Sequence, residues 1–193
     1  MHYRQHRFWT PETTLTVTAK VYGLNLGGGV YGAEDHTATY LVHDSWIATA
    51  DGVSEQMQIR HNWALVKTMP VSLGVLATPH AGIHVISGKQ PSIVMDSCTY
   101  GVCPGRPGYY KETVRLDERI SNDGEFVHAA PWSNAQQGHA NVSHGCINLS
   151  PANAPWFYDH FGAGDVVTVT HSGGLSLPVW DTYGDWALSW AQW

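Results

Sequence analysis

Ser143, His144, Gly145 and Cys146 run consecutively, and Asn148 follows Cys146 by two. These residue types suit covalent chemistry. A cysteine becomes a nucleophile near neutral pH when an imidazole or a helix N-terminus favours its thiolate. His128, His139 and His144 stand upstream, and a helix is predicted four residues downstream. Gly145 permits close backbone approach, so the amides around Cys146 are candidates for an oxyanion hole. Between His128 and Cys146 runs "AAPWSNAQQGHANVSHG", which has little periodicity. A connection of that length inside a domain is usually functional or disordered. Two other readings stand beside the nucleophile. A lone cysteine is commonly a small buried apolar residue. His128, His139, His144 and Cys146 also make a metal-ligating quartet, although no acidic ligand or C-x-x-C pair supports it.

The elements that must hold these residues are mostly strands. "TLTVTAKVYG" alternates Leu15, Val17, Ala19 and Val21 with Thr16, Thr18 and Lys20, the period of a strand. "TATYLV", "AGIHVISG", "SIVMDS", "EFVHAAP" and "GDVVTVT" are further strands between Gly and Pro punctuation. "MQIRHNWALVKTMPVSLG" reads as a hairpin turning near Asn62, and "NLGGGVYG" as a loop. One helix is predicted. Ser150 caps it, Pro151 occupies its first turn, Trp156, Phe157, His160 and Phe161 recur at helical spacing, and Gly162 ends it. Pro155 sits badly in that frame because it removes an interior hydrogen bond, so a start near Asn153 is the alternative. The fold expected is mainly β: a sandwich or barrel-like core with one short helix after the cysteine.

Composition narrows the function classes. The 193 residues are 43% hydrophobic and 13% charged, with a formal net charge of -6. That balance argues against a general phosphate-binding surface, so no nucleic-acid partner is expected. No run is long and apolar enough to be a transmembrane helix. "MHYRQHRFWTPETTL" has no apolar stretch after its basic residues, so the expectation is a cytosolic protein or a chain lacking its natural beginning. Three cysteines, at 98, 103 and 146, make neither a disulfide framework nor a structural zinc site. No cofactor and no metal are expected. Of the twelve histidines, His36, His43, His61, His80, His84 and His171 have no constellation around them. Seven of nine tryptophans lie beyond residue 60, which predicts dense packing there and an aromatic tail folded back on the body.

"VHAAPW" followed by "SHGCINLSP" resembles the signature of the L,D-transpeptidases, cysteine enzymes that cross-link bacterial peptidoglycan. His128, Ser143, His144, Gly145, Cys146 and Asn148 all fall on that pattern. The likeness extends through "KTMPVSLG", "IVMDSCTYGV", "GYYKETV", "PANAPWFYDH" and "GDWALSWAQW". It resembles the branch that carries immunoglobulin-like domains ahead of the catalytic domain. The resemblance implies partial immunoglobulin-like strands over 1–40, a catalytic domain over 41–171 and an aromatic extension over 172–193. It also implies a chain truncated at its front and a place in the cell envelope, outside the cytoplasm.

The implied chemistry is a thioester on Cys146, formed from a tetrapeptide stem with loss of D-Ala and resolved by an amine of a neighbouring stem into a 3→3 cross-link. His128 is the implied base. His144, Gly145 and Cys146 supply oxyanion amides, Ser143 and Asn148 fix the loop, and Met95, Tyr100, Tyr110 and Trp132 line the pocket and its lid. The partners implied are donor and acceptor stem peptides, with carbapenem β-lactams as covalent inhibitors. Oligomeric state is not specified. An L,D-carboxypeptidase sharing the acyl-enzyme, and a wall-binding module with an idle thiol, are the alternatives. An idle thiol has a normal or raised pKa, whereas an activated one reacts below pH 7.

Three departures stand out. Ala129 replaces a serine common after the base histidine, which matters only if that serine acts through its hydroxyl. "LGVLATPHAGIH" lacks a lysine common after its first glycine. Cys98 and Cys103 flank "TYGV". A turn at Gly101 would bring them into bridging range, and an oxidising envelope favours the bond. Two unrelated small buried residues are the other reading.

Overall fold

The computed structural model describes residues 3–75, 78–181 and 183–193, and for Tyr100 the backbone only. Leu76 and Ala77, in the segment that lacks the lysine, therefore lie outside it. The chain divides into two units, Met1–Ser45 and Trp46–Trp193.

The first unit holds β1 (Thr14–Ala19), β2 (Asn25–Gly27), β3 (Val30–Tyr31) and β4 (His36–Leu41). β1 and β4 pair antiparallel from Thr14↔Leu41 to Ala19↔His36. β2 and β3 form a small hairpin turned by Gly28 and Gly29, both at positive φ. "NLGGGVYG" is therefore a hairpin and not a loop. Only glycines reach that turn geometry without strain, and their lack of side chains hid the strand signal.

The second unit is two packed sheets. It contains β5 (Trp46–Asp51), β6 (Gln56–His61), β7 (Ala64–Pro70), β8 (Gly82–Val85), β9 (Gly88–Asp96), β10 (Lys111–Arg119), β11 (Phe126–Ala129), β12 (Ile147–Leu149), α1 (Ala154–His160) and β13 (Val166–Thr170). One sheet runs β7-β6-β5-β13-β8, the other β12-β11-β10-β9. The β6–β7 hairpin turns at Asn62 and Trp63, both at positive φ. The core draws Ala48, Met57, Ile59, Val167 and Val169 from the first sheet and Val127, Ile147 and Leu149 from the second, with Phe157 of α1 and its C-cap Phe161 against them. The fold is the mainly β sandwich expected.

Three features differ from expectation. The helix does not start at Ser150 but at the alternative place, beginning at Ala154 with Asn153 as its cap, and Pro155 sits in its first turn, where a missing N–H does no harm. Ser150 instead holds a turn ahead of the helix, accepting the amides of Asn153 and Ala154 at its carbonyl. The tryptophans do not make the core: Trp63, Trp132, Trp180, Trp190 and Trp193 are exposed. All five lie outside the strands, in the β6–β7 turn, the 3₁₀ turn after β11 and the tail. The tail does return to the body through a bridge at Ala81 and Ser176 and the buried Leu177. β10 had no apolar alternation to announce it. Its register with β11 shifts between Arg115 and Glu118, with Leu116 at positive φ. That bulge turns Asp117 and Glu118 both inward, where each is 1% exposed.

Candidate active site

β11 and β12 are parallel neighbours, and their register sets His128 directly opposite Asn148. Cys146 is the residue before β12. The intervening chain leaves β11 through a 3₁₀ turn, Pro131–Ser133, and returns to Ser143. A parallel pair needs a long crossover, so the aperiodic stretch between His128 and Cys146 is a requirement of the sheet.

The turn at 143–146 is locked from inside. Ser143 Oγ donates to the Cys146 carbonyl at 2.6 Å and accepts the Gly145 amide at 3.1 Å. Gly145 has φ 146°, a conformation essentially closed to other residues. The segment after β7 supports the turn. Ser143 donates its amide to the Leu73 carbonyl, and Asn148 to that of Ser72. Asn141 Oδ1 accepts the Leu73 amide, and its Nδ2 donates to the Gly52 carbonyl. A Cβ on Gly74 would lie 2.0 Å from Thr78 Oγ1 and 3.0 Å from the Gly145 amide. Ser72, Gly74 and Asn141 were not singled out from sequence. They carry no chemistry of their own, and only the fold brings them beneath the turn.

His128 is 3% exposed. Its Nδ1–H donates to the Ala129 carbonyl at 2.9 Å, because a carbonyl can only accept. Nε2 is thereby left as the basic nitrogen. A backbone oxygen orients the ring, so Ala129 in place of serine removes nothing. Burial pulls the His128 pKa below the ordinary 6.5. Burial also pushes the Cys146 thiol up to about 12, with the charges of Glu125 and Asp117 adding to the effect. The pair therefore rests as neutral thiol and neutral imidazole. α1 starts eight residues after Cys146 and not four, so its first turn does not follow the thiol directly. Desolvation outweighs the lowering effect of the Phe126 backbone hydrogen bond, so the thiol's pKa moves up and not down as expected.

Cys146, His128, Ser143, His144 and Asn148 share one pocket of about 180 Å³ with Met95, Tyr110 and Trp132. Tyr110 stacks on His144 at 4.9 Å, and Trp132 stands 5.9 Å from the His128 ring. Asn148 Nδ2 donates to Ser133 Oγ at 3.0 Å. Glu112 also lines the pocket, a carboxylate that sequence reading passed over within a charged strand. Tyr100 closes a 3₁₀ turn near this wall, and its side chain lies outside the described residues. That turn carries a Cys98–Cys103 disulfide, with Gly101 at positive φ. Cys146 is the free cysteine.

The quartet of His128, His139, His144 and Cys146 does not assemble. Among the described residues the metal-ligating group that does is His80, Asp123 and Glu125. His80, His84 and His171 therefore do have partners: His171 pairs with Asp51, and the His84 ring nitrogens face the carbonyls of Ile120 and His80.

A catalytic-domain model of the L,D-transpeptidases matches residues 45–169, and the chain belongs to that family. It is 43% identical to L,D-transpeptidase 2 of Mycobacterium tuberculosis over 194 residues, covering all of this chain and 48% of that one. It is 35% identical to L,D-transpeptidase 5 of the same species over 198 residues, covering 42% of it. The chain thus spans about half the length of these curated relatives. An L,D-transpeptidase from Mycobacterium smegmatis superposes with a TM-score of 0.72 at 34% identity, over 85% of this chain and 70% of that one. An L,D-transpeptidase solved in complex with imipenem gives 0.74 at 35% identity, over 86% and 70%.

Proposed function

We propose that this chain catalyses L,D-transpeptidation of peptidoglycan stems through a thioester on Cys146. The observation that carries the reading is the shared pocket of Cys146 and His128, with the nucleophile's turn fixed by Ser143 and the histidine's free nitrogen set by the Ala129 carbonyl. In the first step the Cys146 sulfur attacks the carbonyl ahead of the terminal D-Ala, and the thiol proton passes to His128 Nε2. The C–S bond forms, the C–N bond breaks, and D-Ala leaves with the proton from His128. In the second step an acceptor amine attacks the thioester. A C–N bond forms, the C–S bond breaks, and the proton lost by the amine returns to Cys146, giving a 3→3 cross-link. Because the thiol rests neutral, proton transfer accompanies attack.

The developing oxyanion would be met by the amides of His144 and Cys146. The Gly145 amide is committed to Ser143 Oγ, which removes it from that role. His144 would act through its backbone, its ring stacked on Tyr110 as part of the wall. Met95, Tyr110 and Trp132 would enclose the stem, and Glu112 would attract the acceptor's ammonium group. The same attack would open a carbapenem ring, in keeping with the relative solved with imipenem and another, 26% identical, holding a faropenem-derived adduct. A peptidoglycan substrate would put the protein in the cell envelope. The exposed ribbons β1–β4 would be strands of an immunoglobulin-like module.

Incubation with a disaccharide-tetrapeptide tests the reaction. A cross-linked dimer lacking one D-Ala is expected by mass spectrometry. Tripeptide alone would make the chain a carboxypeptidase. Imipenem should add its mass to the wild-type chain and not to Cys146→Ala. An adduct that persists in the variant would overturn the assignment of the nucleophile.

A further inference from the structure

His80, Asp123 and Glu125 meet outside the pocket lining, and each offers one ligand atom within 4.8 Å of the others. Glu125 is only 5% exposed. Its Oε1 accepts the His80 amide at 2.8 Å and faces His80 Nδ1 at 3.0 Å. Its Oε2 is buried and has no hydrogen-bond partner among the described residues. His84 Nδ1 stands 4.0 Å from that oxygen. It does not serve, because the two His84 ring nitrogens face the carbonyls of Ile120 and His80 at 3.0 and 2.8 Å. Asp123 Oδ2 stands 3.6 Å from His80 Nδ1, so a second carboxylate is turned toward the first. A buried carboxylate oxygen without a partner is unfavourable, and a neighbouring carboxylate worsens it. A cation among the three side chains would offset the repulsion between the two carboxylates.

We propose that His80, Asp123 and Glu125 form a divalent-cation site, with zinc the ion that fits best. One imidazole nitrogen and two carboxylate oxygens belong to the zinc donor set, and three protein ligands leave a position for water. Calcium and magnesium prefer all-oxygen shells, which the imidazole disfavours. Rotation of the partly exposed Asp123 and His80 side chains would close the three atoms to bonding distance, while buried Glu125 stays fixed. The site stands behind the nucleophile's turn: Glu125 Cγ is 4.0 Å from the position of a Cβ on Gly145.

Isothermal titration of zinc into the Cys146→Ala protein tests the site with the thiol removed and without reference to cross-linking. One equivalent per chain is expected. Binding should weaken by about 10-fold or more in His80→Ala and in Glu125→Gln. Near-UV circular dichroism must show both variants folded. Should Glu125→Gln unfold, His80→Ala and Asp123→Asn carry the test, since both positions reach solvent. Cobalt loading of the wild-type chain gives a second reading: d–d bands without a thiolate charge-transfer band are expected. No binding, unchanged affinity in folded His80→Ala, or a thiolate band from Cys146 would each overturn the site.

Discussion

At residue scale the proposed reaction turns on His128 Nε2 and Cys146 Sγ, whose pKa shifts run opposite to those of a thiolate–imidazolium pair. Burial raises the thiol to about 12 and lowers the imidazole. The thiol then has its proton throughout the physiological range, while His128 becomes a competent base once it loses its own. Iodoacetamide alkylation of Cys146 should therefore be slow at about pH 7 and still rising with pH at about pH 9. A plateau reached below pH 7 would show a stable thiolate and contradict this. Imipenem acylation should fall only as His128 protonates, below the ordinary 6.5. His128→Ala should slow acylation by about 10²-fold or more. Ala129→Ser should leave it within a few-fold of wild type, because the ring is held by a carbonyl that both residues possess. A tenfold gain in Ala129→Ser would show that the hydroxyl matters.

At element scale the site depends on how closely two backbone segments approach. Gly74 bridges Ser143, and the space beside it belongs to Thr78 and to the Gly145 amide. A methyl at Gly74 must displace one of them. Gly74→Ala is expected to slow imipenem acylation by at least about tenfold while the far-ultraviolet spectrum stays unchanged, since a shift near 1 Å can lose about 10²-fold in rate. Acylation at the wild-type rate would mean that Thr78 yields without moving the turn. The disulfide works at the same scale. It closes the short 98–103 segment after Met95 and stiffens the chain on one wall of the pocket.

Across the whole molecule, pH bears on stability through carboxyls that the chemistry does not use. The bulge in β10 buries Glu118, and burial raises its pKa from the ordinary 4.5 to about 9. Between those values the folded chain holds a proton that the unfolded chain releases. Stability from this group is full below the unfolded value and declines as pH rises toward the folded one. The urea midpoint should therefore fall between about pH 5 and about pH 8. Glu118→Gln, which cannot ionise, should flatten that fall. Glu125, raised to about 7, contributes in the same direction, so the difference between wild type and variant isolates Glu118. An identical slope in both would show that Glu118 stays charged when folded.

The candidate catalytic residues were legible in the chain because their spacing is dictated locally: the turn at 143–146 needs Ser143 and Gly145 wherever it is placed. Strands with alternating or apolar patterns were legible for the same reason, as were the β6–β7 turn at Asn62 and the single helix. What tertiary structure decided has no local signature. Ser72, Gly74 and Asn141 serve the site only because the fold lays their segments under it. β10 reads as a charged run, and a single bulge sends two of its carboxylates inward. His80 and Glu125 are 45 residues apart and meet only when β11 is in the sheet. The protonation of Cys146 belongs to this second class. Sequence names the thiol and its histidine, but the balance between burial and hydrogen bonding exists only once both are packed.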